Sequence, residues 1–257
     1  MDQSNPKNYV ESEQEYFARI EAYFSTSSGT YTEKMQAFPR FVHRQALSYF
    51  LARNEIYKEV VAVHGSVVDF GIHRGASFFS WQQLAALYEP YNHSRKIIGF
   101  DSFEGFSALD PDIDGAEGRE LALKRTGGMT FRGGEDELQR GVELCDLNRP
   151  LGHVRNAHVV AGELPGAFAT YLEQHPETIV ALANFGLGLY RPTVELLSLL
   201  RPRLHNGSLL VFEELNQATW PGETKALIEV FGLQEVNVRR FPFCPHLSYM
   251  RVGGDGA

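Results

Sequence analysis

The sequence predicts an α/β fold: a mostly parallel sheet covered by helices on both faces, preceded by a helical extension. Three observations predict it. Five short runs, 66–70, 96–100, 158–161, 178–185 and 208–212, are apolar almost throughout. Each is followed by a segment of helical periodicity, and strands without polar alternation, joined by helical crossovers, belong to a parallel sheet buried on both sides. A turn carrying Gly71 and Gly75 then separates the first strand from its helix, a place where a ligand can approach the backbone.

The elements follow in order. The first ~34 residues are polar and read as a frayed arm with one short helix over 11–23. Phe38, Val42, Ala46 and Phe50, then Tyr57, Val60 and Val61, fall at helical spacing up to a stop at Gly65. Helices are expected over 77–88 (burying Phe78, Trp81, Leu84 and Tyr88), 135–144, 165–174, 192–200 and 223–231. The alternating stretches 236–241 and 247–252, with a Pro-containing turn between them, read as an antiparallel hairpin closing one sheet edge. The Gly- and Asp-rich stretch 107–134 reads as a long surface loop of the kind that often covers a site. Two domains are expected: 1–64, an arm and helical extension acting as a lid or in oligomerisation, and 65–257, the ligand-binding domain.

Composition narrows the function. The chain has 257 residues, 43% hydrophobic and 22% charged, enough for a sizeable core without disulfides. The net charge of −8 and the lack of a Lys/Arg stripe argue against a nucleic-acid partner. Cys145 and Cys244 have neither metal nor redox spacing and read as reduced thiols. The opening MDQSNPKNYVESEQ lacks the apolar core of a signal peptide, and no run approaches the ~20 residues of a membrane span. The expectation is a cytoplasmic protein without a membrane partner, acting on a small molecule.

The chemistry sits at strand ends. In GSVVDFGIHRGASFF a strand ends at Asp69-Phe70 and a helix begins near Ser77. The spacing Gly71-x-x-x-Gly75 falls short of the dinucleotide fingerprint G-x-G-x-x-G and suits a smaller anion, such as the carboxylate of S-adenosylmethionine. In KIIGFDSFEGF, Asp101 ends the next strand, with Ser102 after it. An acid there can accept both hydroxyls of a ribose lying across the sheet edge, or simply cap the segment that follows. VVAGEL places Gly162 and Glu163 at a third strand end, beside the adenine or in an ordinary turn. Together these three strand ends favour adenosine binding.

Four stretches, SVVDFGIHRGASFFSW, EPYNHSRKIIGFDSFEGF, LYRPTVELLSLLRPRLHNGSLLVFEELN and WPGETKAL, resemble the macrocin O-methyltransferase family. The similarity runs from about Phe38 to the C-terminus. It implies a Rossmann-like class I methyltransferase sheet of seven strands, the last antiparallel, and S-adenosylmethionine-dependent methylation of a hydroxyl on a sugar or other natural-product intermediate, commonly with Mg²⁺. One departure stands out. The family's fourth strand ends Asp-x-Asp-Leu-Tyr, where the first Asp binds metal, whereas this chain reads Gly186-Leu187-Gly188-Leu189-Tyr190. The family's acid pair after the fifth strand is kept as Glu213-Glu214. Without the two aspartates a tight Mg²⁺ site is not expected, and no metal ligands are assigned.

The acceptor is expected between the fourth and fifth strand ends, under the N-terminal helices and the 107–134 loop. Tyr190 and Trp220 are candidates to line it, although Trp220 could equally pack its own loop. Glu213 is the preferred base or cation-binding group, with Glu214 next and His246 the histidine candidate; His43 and His73 are further possibilities. Losing the metal acids points to a protein base or to a more nucleophilic acceptor such as an amine. A homodimer is expected. The rival functions are another reaction on the same scaffold, such as a cyclase, and an inactive methyltransferase-like assembly partner.

Overall fold

The computed structural model describes residues 11–107, 109–114 and 126–253. The chain forms two compact units, Met1–Tyr49 and Phe50–Ala257.

In the first unit, α1 (Glu11–Thr26) is followed by α2 (Tyr31–Gln36), a short 3₁₀ turn at Phe38–Arg40 and the start of α3 (Arg44–Val60). α2 begins with a capping box: the Thr30 hydroxyl accepts from Glu33 N, and the Glu33 carboxylate accepts from Thr30 N at 2.7 Å. The polar composition had predicted one short helix in a frayed arm. It hides an aromatic cluster: the Phe24 and Phe41 rings meet edge-on at 5.1 Å, with Tyr23 at 5.8 Å from Phe41. That cluster gives α1 an apolar face, and α1 runs three residues past its expected end, whereas α2 buries no residue and is held by its capping box.

In the second unit the sheet consists of β1 (Ser66–Phe70), β2 (Ile97–Asp101), β3 (Ala157–Ala161), β4 (Val180–Phe185), β5 (Leu209–Phe212), β6 (Arg239–Phe241) and β7 (Cys244–Arg251). Their order is β3-β2-β1-β4-β5-β7-β6, and β7 runs antiparallel to both of its neighbours. The expected Rossmann-like, seven-stranded fold with a closing hairpin is therefore present. The crossover helices are α4 (Ala76–Tyr88), α5 (Gly134–Leu147), α6 (Gly166–Gln174), α7 (Tyr190–Leu200) and α8 (Gly222–Phe231). β1, β2, β4 and β5 are buried almost without a break, which is why they read as apolar runs, while β3, at the sheet edge, is only partly buried. On one face Phe70, Phe100, Phe185 and Phe212 pack against Phe168 of α6, Leu196 and Leu200 of α7 and Leu227 of α8. Only Gly fits at Gly99, whose Cβ would lie 2.7 Å from the Phe78 ring of α4.

After β1 the chain builds outward through β2 and β3, then returns to place β4 on the other side of β1. This reversal opens a crevice at the carboxyl ends of β1 and β4, where open α/β sheets bind ligands. Of the expected loop 107–134, residues 108 and 115–125 lie outside the described residues. Its described beginning is tied to α7: Asp110 accepts from Arg191 Nε at 2.8 Å, and Asp114 accepts from Tyr190 N at 3.0 Å. Its return packs on the glycine turn, with Arg74 over the Phe131 ring at 4.5 Å. Among the described residues no helix is long and apolar enough to cross a membrane.

Candidate active site

The crevice is built from turns that only glycine permits. Gly71 has φ +80°, and a Cβ there would stand 2.8 Å from the Gly186 carbonyl oxygen, so the turns after β1 and β4 touch backbone to backbone. Gly75, at φ +85°, opens α4 without a side-chain cap, leaving that helix start to an anion. Asp101 joins two of the turns: one carboxylate oxygen accepts from His73 N and the other from Phe103 N, both at 2.7 Å. Each oxygen keeps a second lone pair for a ligand hydroxyl. Gly71, Asp101, Ser102, Glu163 and Gly186 line one cleft, with Phe106, Leu164 and Leu187 forming its apolar walls. These groups fit an adenosine bearing an anionic tail.

Other predicted residues take different places. Gly162 has φ +151° and sits against Ala167 of α6. Asp69 and Ser77 are buried beneath the glycine turn. Burial raises the Asp69 carboxyl to about 7, against hydrogen bonds from Ser77 and Asn184 that pull it down. Tyr190 donates its hydroxyl to Glu229 of α8, while neighbouring Leu189 lines the cleft. Trp220 lies on Gly188, its Cε3 2.7 Å from where a Cβ would stand, and its ring is 5.7 Å from that of Phe106.

The far side of the crevice is acidic but compensated. Glu213 Oε1 accepts from Arg53 Nη2 at 2.8 Å and from Asn184 Nδ2 at 3.1 Å, and Asn184 Nδ2 also donates to Asp69 at 2.7 Å. Burial pushes the Glu213 carboxyl up, but the charge and hydrogen bond of Arg53, with the hydrogen bond of Asn184 and further positive charge, together hold the group below the usual glutamate range. Glu214 lends its backbone N–H to Glu223, whose other oxygen takes Gly188 N, both at 3.0 Å. Burial, then the charge of Glu214, raises Glu223 to about 8. His246 sits at the start of β7 with Nδ1 2.9 Å from Gln217 Nε2, and burial lowers its pKa. His43 lies in the first unit, where Nδ1 accepts from Ala46 N.

Sequence reasoning missed Arg53, Asn184 and Glu223. For Asn184 a signal existed: it is the one polar residue in VALANF, and in register it faces Asp69, the one acid in SVVDF. The donor set at the strand ends does not suit a hard cation. Gly186 and Gly188 contribute no side-chain oxygen, Glu213 is ion-paired to Arg53, and among the described residues no group of three or more His, Cys, Asp or Glu could hold a metal ion. The residues present do not fit a family-type Mg²⁺ centre.

No protein-family model and no curated sequence matches the chain. Solved structures do. The chain is 31% identical to CalS11, described as a calicheamicin methyltransferase, over 98% of each chain with a TM-score of 0.90. The chain belongs to the S-adenosylmethionine-dependent O-methyltransferases. A second structure, apo CalS11, described as a TDP-rhamnose 3'-O-methyltransferase of calicheamicin biosynthesis, is 30% identical, covering 95% of this chain and 96% of that one at a TM-score of 0.81. The O-methyltransferase NovP, 16% identical with a TM-score of 0.55 over 79% of each chain, shares the fold. This methyltransferase thus has S-adenosylmethionine as its cofactor, as the glycine turn and Asp101 had indicated.

Proposed function

We propose that this methyltransferase methylates a hydroxyl of a sugar or sugar-like natural-product intermediate, without a tightly held Mg²⁺, and that it falls within the macrocin O-methyltransferase branch. One observation carries the acceptor class: the 31% identity over 98% of both chains to CalS11, whose apo structure is described as a TDP-rhamnose 3'-O-methyltransferase. The branch is supported by the FDSFEGF and WPGET motifs.

In this reading Gly71 and Gly75 admit the methionine end of the cofactor, with Asp69 and Ser77 beneath them. Asp101 and Ser102 hold the ribose, and Gly162 and Glu163 border the adenine. The cofactor supplies a methyl group on a sulfonium, already a strong electrophile, so alignment is most of what the protein must add. The acceptor stands toward Glu213 and Glu214, with Trp220 behind Phe106 as its wall and Tyr190 at its rim. Glu213, kept ionised by Arg53, accepts the hydrogen bond of the hydroxyl and orients it. His246, neutral at pH 7 by virtue of its lowered pKa, is the group able to take the proton. Action in the cytoplasm, supported by Cys145 and Cys244 being thiols rather than a disulfide, and a homodimeric state belong to the same reading.

Incubation with S-adenosylmethionine and a panel of nucleoside-diphosphate sugars, with EDTA present, tests it. A product heavier by one CH₂, formed from a sugar hydroxyl, is the expected result. Product only from amines, or only after Mg²⁺ is restored, would overturn the acceptor class or the metal independence respectively.

A further inference from the structure

The geometry points to Arg53 and Asn184 as positioning residues for the transfer: together they fix one oxygen of Glu213 and leave the other to the acceptor. This rests on the reading of Glu213 as the acid that faces the acceptor. Arg53 comes from α3 and is 160 residues from Glu213 in sequence, yet its side chain is only 5% exposed and the Glu213 side chain 17%. Both donors go to the same atom, Oε1, and neither reaches Oε2.

Asn184 is fully buried and spreads its Nδ2 between two acids, 2.7 Å to Asp69 Oδ1 and 3.1 Å to Glu213 Oε1. A neutral group with two N–H bonds can stand between two carboxyl groups and satisfy both; an aspartate there would add a third acid, and a leucine would satisfy neither. The resulting line, Arg53 to Glu213 to Asn184 to Asp69, crosses the carboxyl ends of β5, β4 and β1, three adjacent strands. It therefore runs beneath both halves of the crevice. Among the described residues, the groups that act on Glu213 are Arg53 from α3, Asn184 from β4, Asp69 from β1 and Glu223 from α8.

In O-methylation the bond from sulfur to methyl breaks as the bond from acceptor oxygen to methyl forms. The sulfonium becomes a neutral thioether, and the hydroxyl proton passes to a base. The hydroxyl must present its lone pair to the methyl and its hydrogen to an acceptor of fixed direction. With Oε1 saturated, Glu213 can offer only Oε2. Arg53 keeps the carboxylate charged, and Asn184 fixes its plane.

The test uses Asn184→Leu, Arg53→Met and Arg53→Lys with thymidine-diphosphate rhamnose as the probe acceptor, S-adenosylhomocysteine calorimetry, and ¹³C NMR titration of the Glu213 carboxyl, assigned with Glu213→Gln. Asn184→Leu and Arg53→Met should each lower kcat about tenfold or more while cofactor-product affinity stays within about threefold, and Arg53→Lys should recover most of the rate. The Glu213 titration should move to higher pH in Arg53→Met. An unmoved titration, or a loss of affinity as large as the loss of rate, would overturn the proposal. Should Arg53→Met fail to fold, Asn184→Leu and Arg53→Lys decide it by the same split. A wild type that leaves the rhamnose unmethylated while the titration moves counts against the sugar acceptor and supports the role of Arg53 on Glu213.

Discussion

Glu223 accepts the backbone N–H of Gly188 at 3.0 Å, and its second oxygen takes that of Glu214 at the same distance. One fully buried carboxyl at the start of α8 thus clasps the turns after β4 and β5. Because its pKa is raised to about 8, the folded chain holds a proton there that the unfolded chain releases near pH 4.5. Between those values the folded state binds more protons, so stability falls as pH rises through this window and levels off above it. Asp69, raised to about 7, adds to the same slope. Glu223→Gln should flatten the decline, measured as the urea midpoint at about pH 5.5 and about pH 8.5. Its amide must also turn an N–H toward one of the two donors, costing roughly 1–3 kcal/mol. An unchanged pH slope in the variant would mean that Glu223 does not carry the proton.

Asp101→Ala should weaken S-adenosylhomocysteine binding about tenfold or more, the loss of a charge-assisted hydrogen bond. The effect has two parts, since Asp101 also receives His73 N and Phe103 N and so shapes both turns. Asp101→Asn separates them: its amide can accept from only one of those two donors, so it should bind more weakly than wild type and more tightly than Asp101→Ala. Calorimetry on folded variants measures all three. Equal affinities would remove Asp101 from the cofactor site.

Why the glycine turn and Asp101 could be placed from the sequence and the contacts around Glu213 could not has a physical reason. Gly71, Gly75 and Asp101 sit at strand ends within thirty-one residues of chain, and each is demanded by local backbone geometry, so residue type reveals place. β1 was delimited to the residue because its apolar run is bounded by Gly65 and Gly71. The contacts around Glu213 are assembled from distant segments. Arg53 looks like any polar residue on an amphipathic helix, and only the folded chain brings it to Glu213. Glu223 looks in sequence like any acid in the first turn of a helix, although it is fully buried. α1 was expected, though three residues too short; α2 was missed because it buries no residue and so carries no apolar periodicity.

Gly186 and Gly188 should respond differently to the aspartates that the resembled family carries. A Cβ at Gly186 meets nothing closer than 3.4 Å and would lie 3.7 Å from Glu213 Cδ. At Gly188 φ is +64° and a Cβ would press on Trp220 at 2.7 Å. Gly186→Asp should therefore fold and place a second carboxylate against Glu213. Its melting temperature should rise with Mg²⁺, which should not move the wild type. Gly188→Asp should lose about 1–3 kcal/mol from backbone strain and displacement of the indole, with quenched or shifted Trp220 fluorescence. A Mg²⁺-dependent rise in the wild type would show that other groups complete a metal site.

Glu213→Gln tests the division of labour between the acid and the histidine. The substitution keeps the shape of the side chain but puts an amide where a carboxylate had compensated Arg53, leaving a buried guanidinium with a neutral partner. Stability should therefore fall, and the rate must be compared at a temperature where both proteins are folded. Turnover should drop about tenfold or more with S-adenosylhomocysteine affinity nearly unchanged, because Glu213 belongs to the acceptor half and acts in the chemical step. Glu214→Gln, which leaves the bonds of Glu213 to Arg53 and Asn184 in place, should cost less. In the wild type the acid limb of the rate profile should follow His246, whose lowered pKa keeps it neutral and able to accept a proton into mildly acid solution. His246→Asn should abolish that limb. A limb that survives His246→Asn and disappears in Glu213→Gln would make the carboxylate itself the base, and would require Arg53 to release it from the ion pair when the acceptor binds.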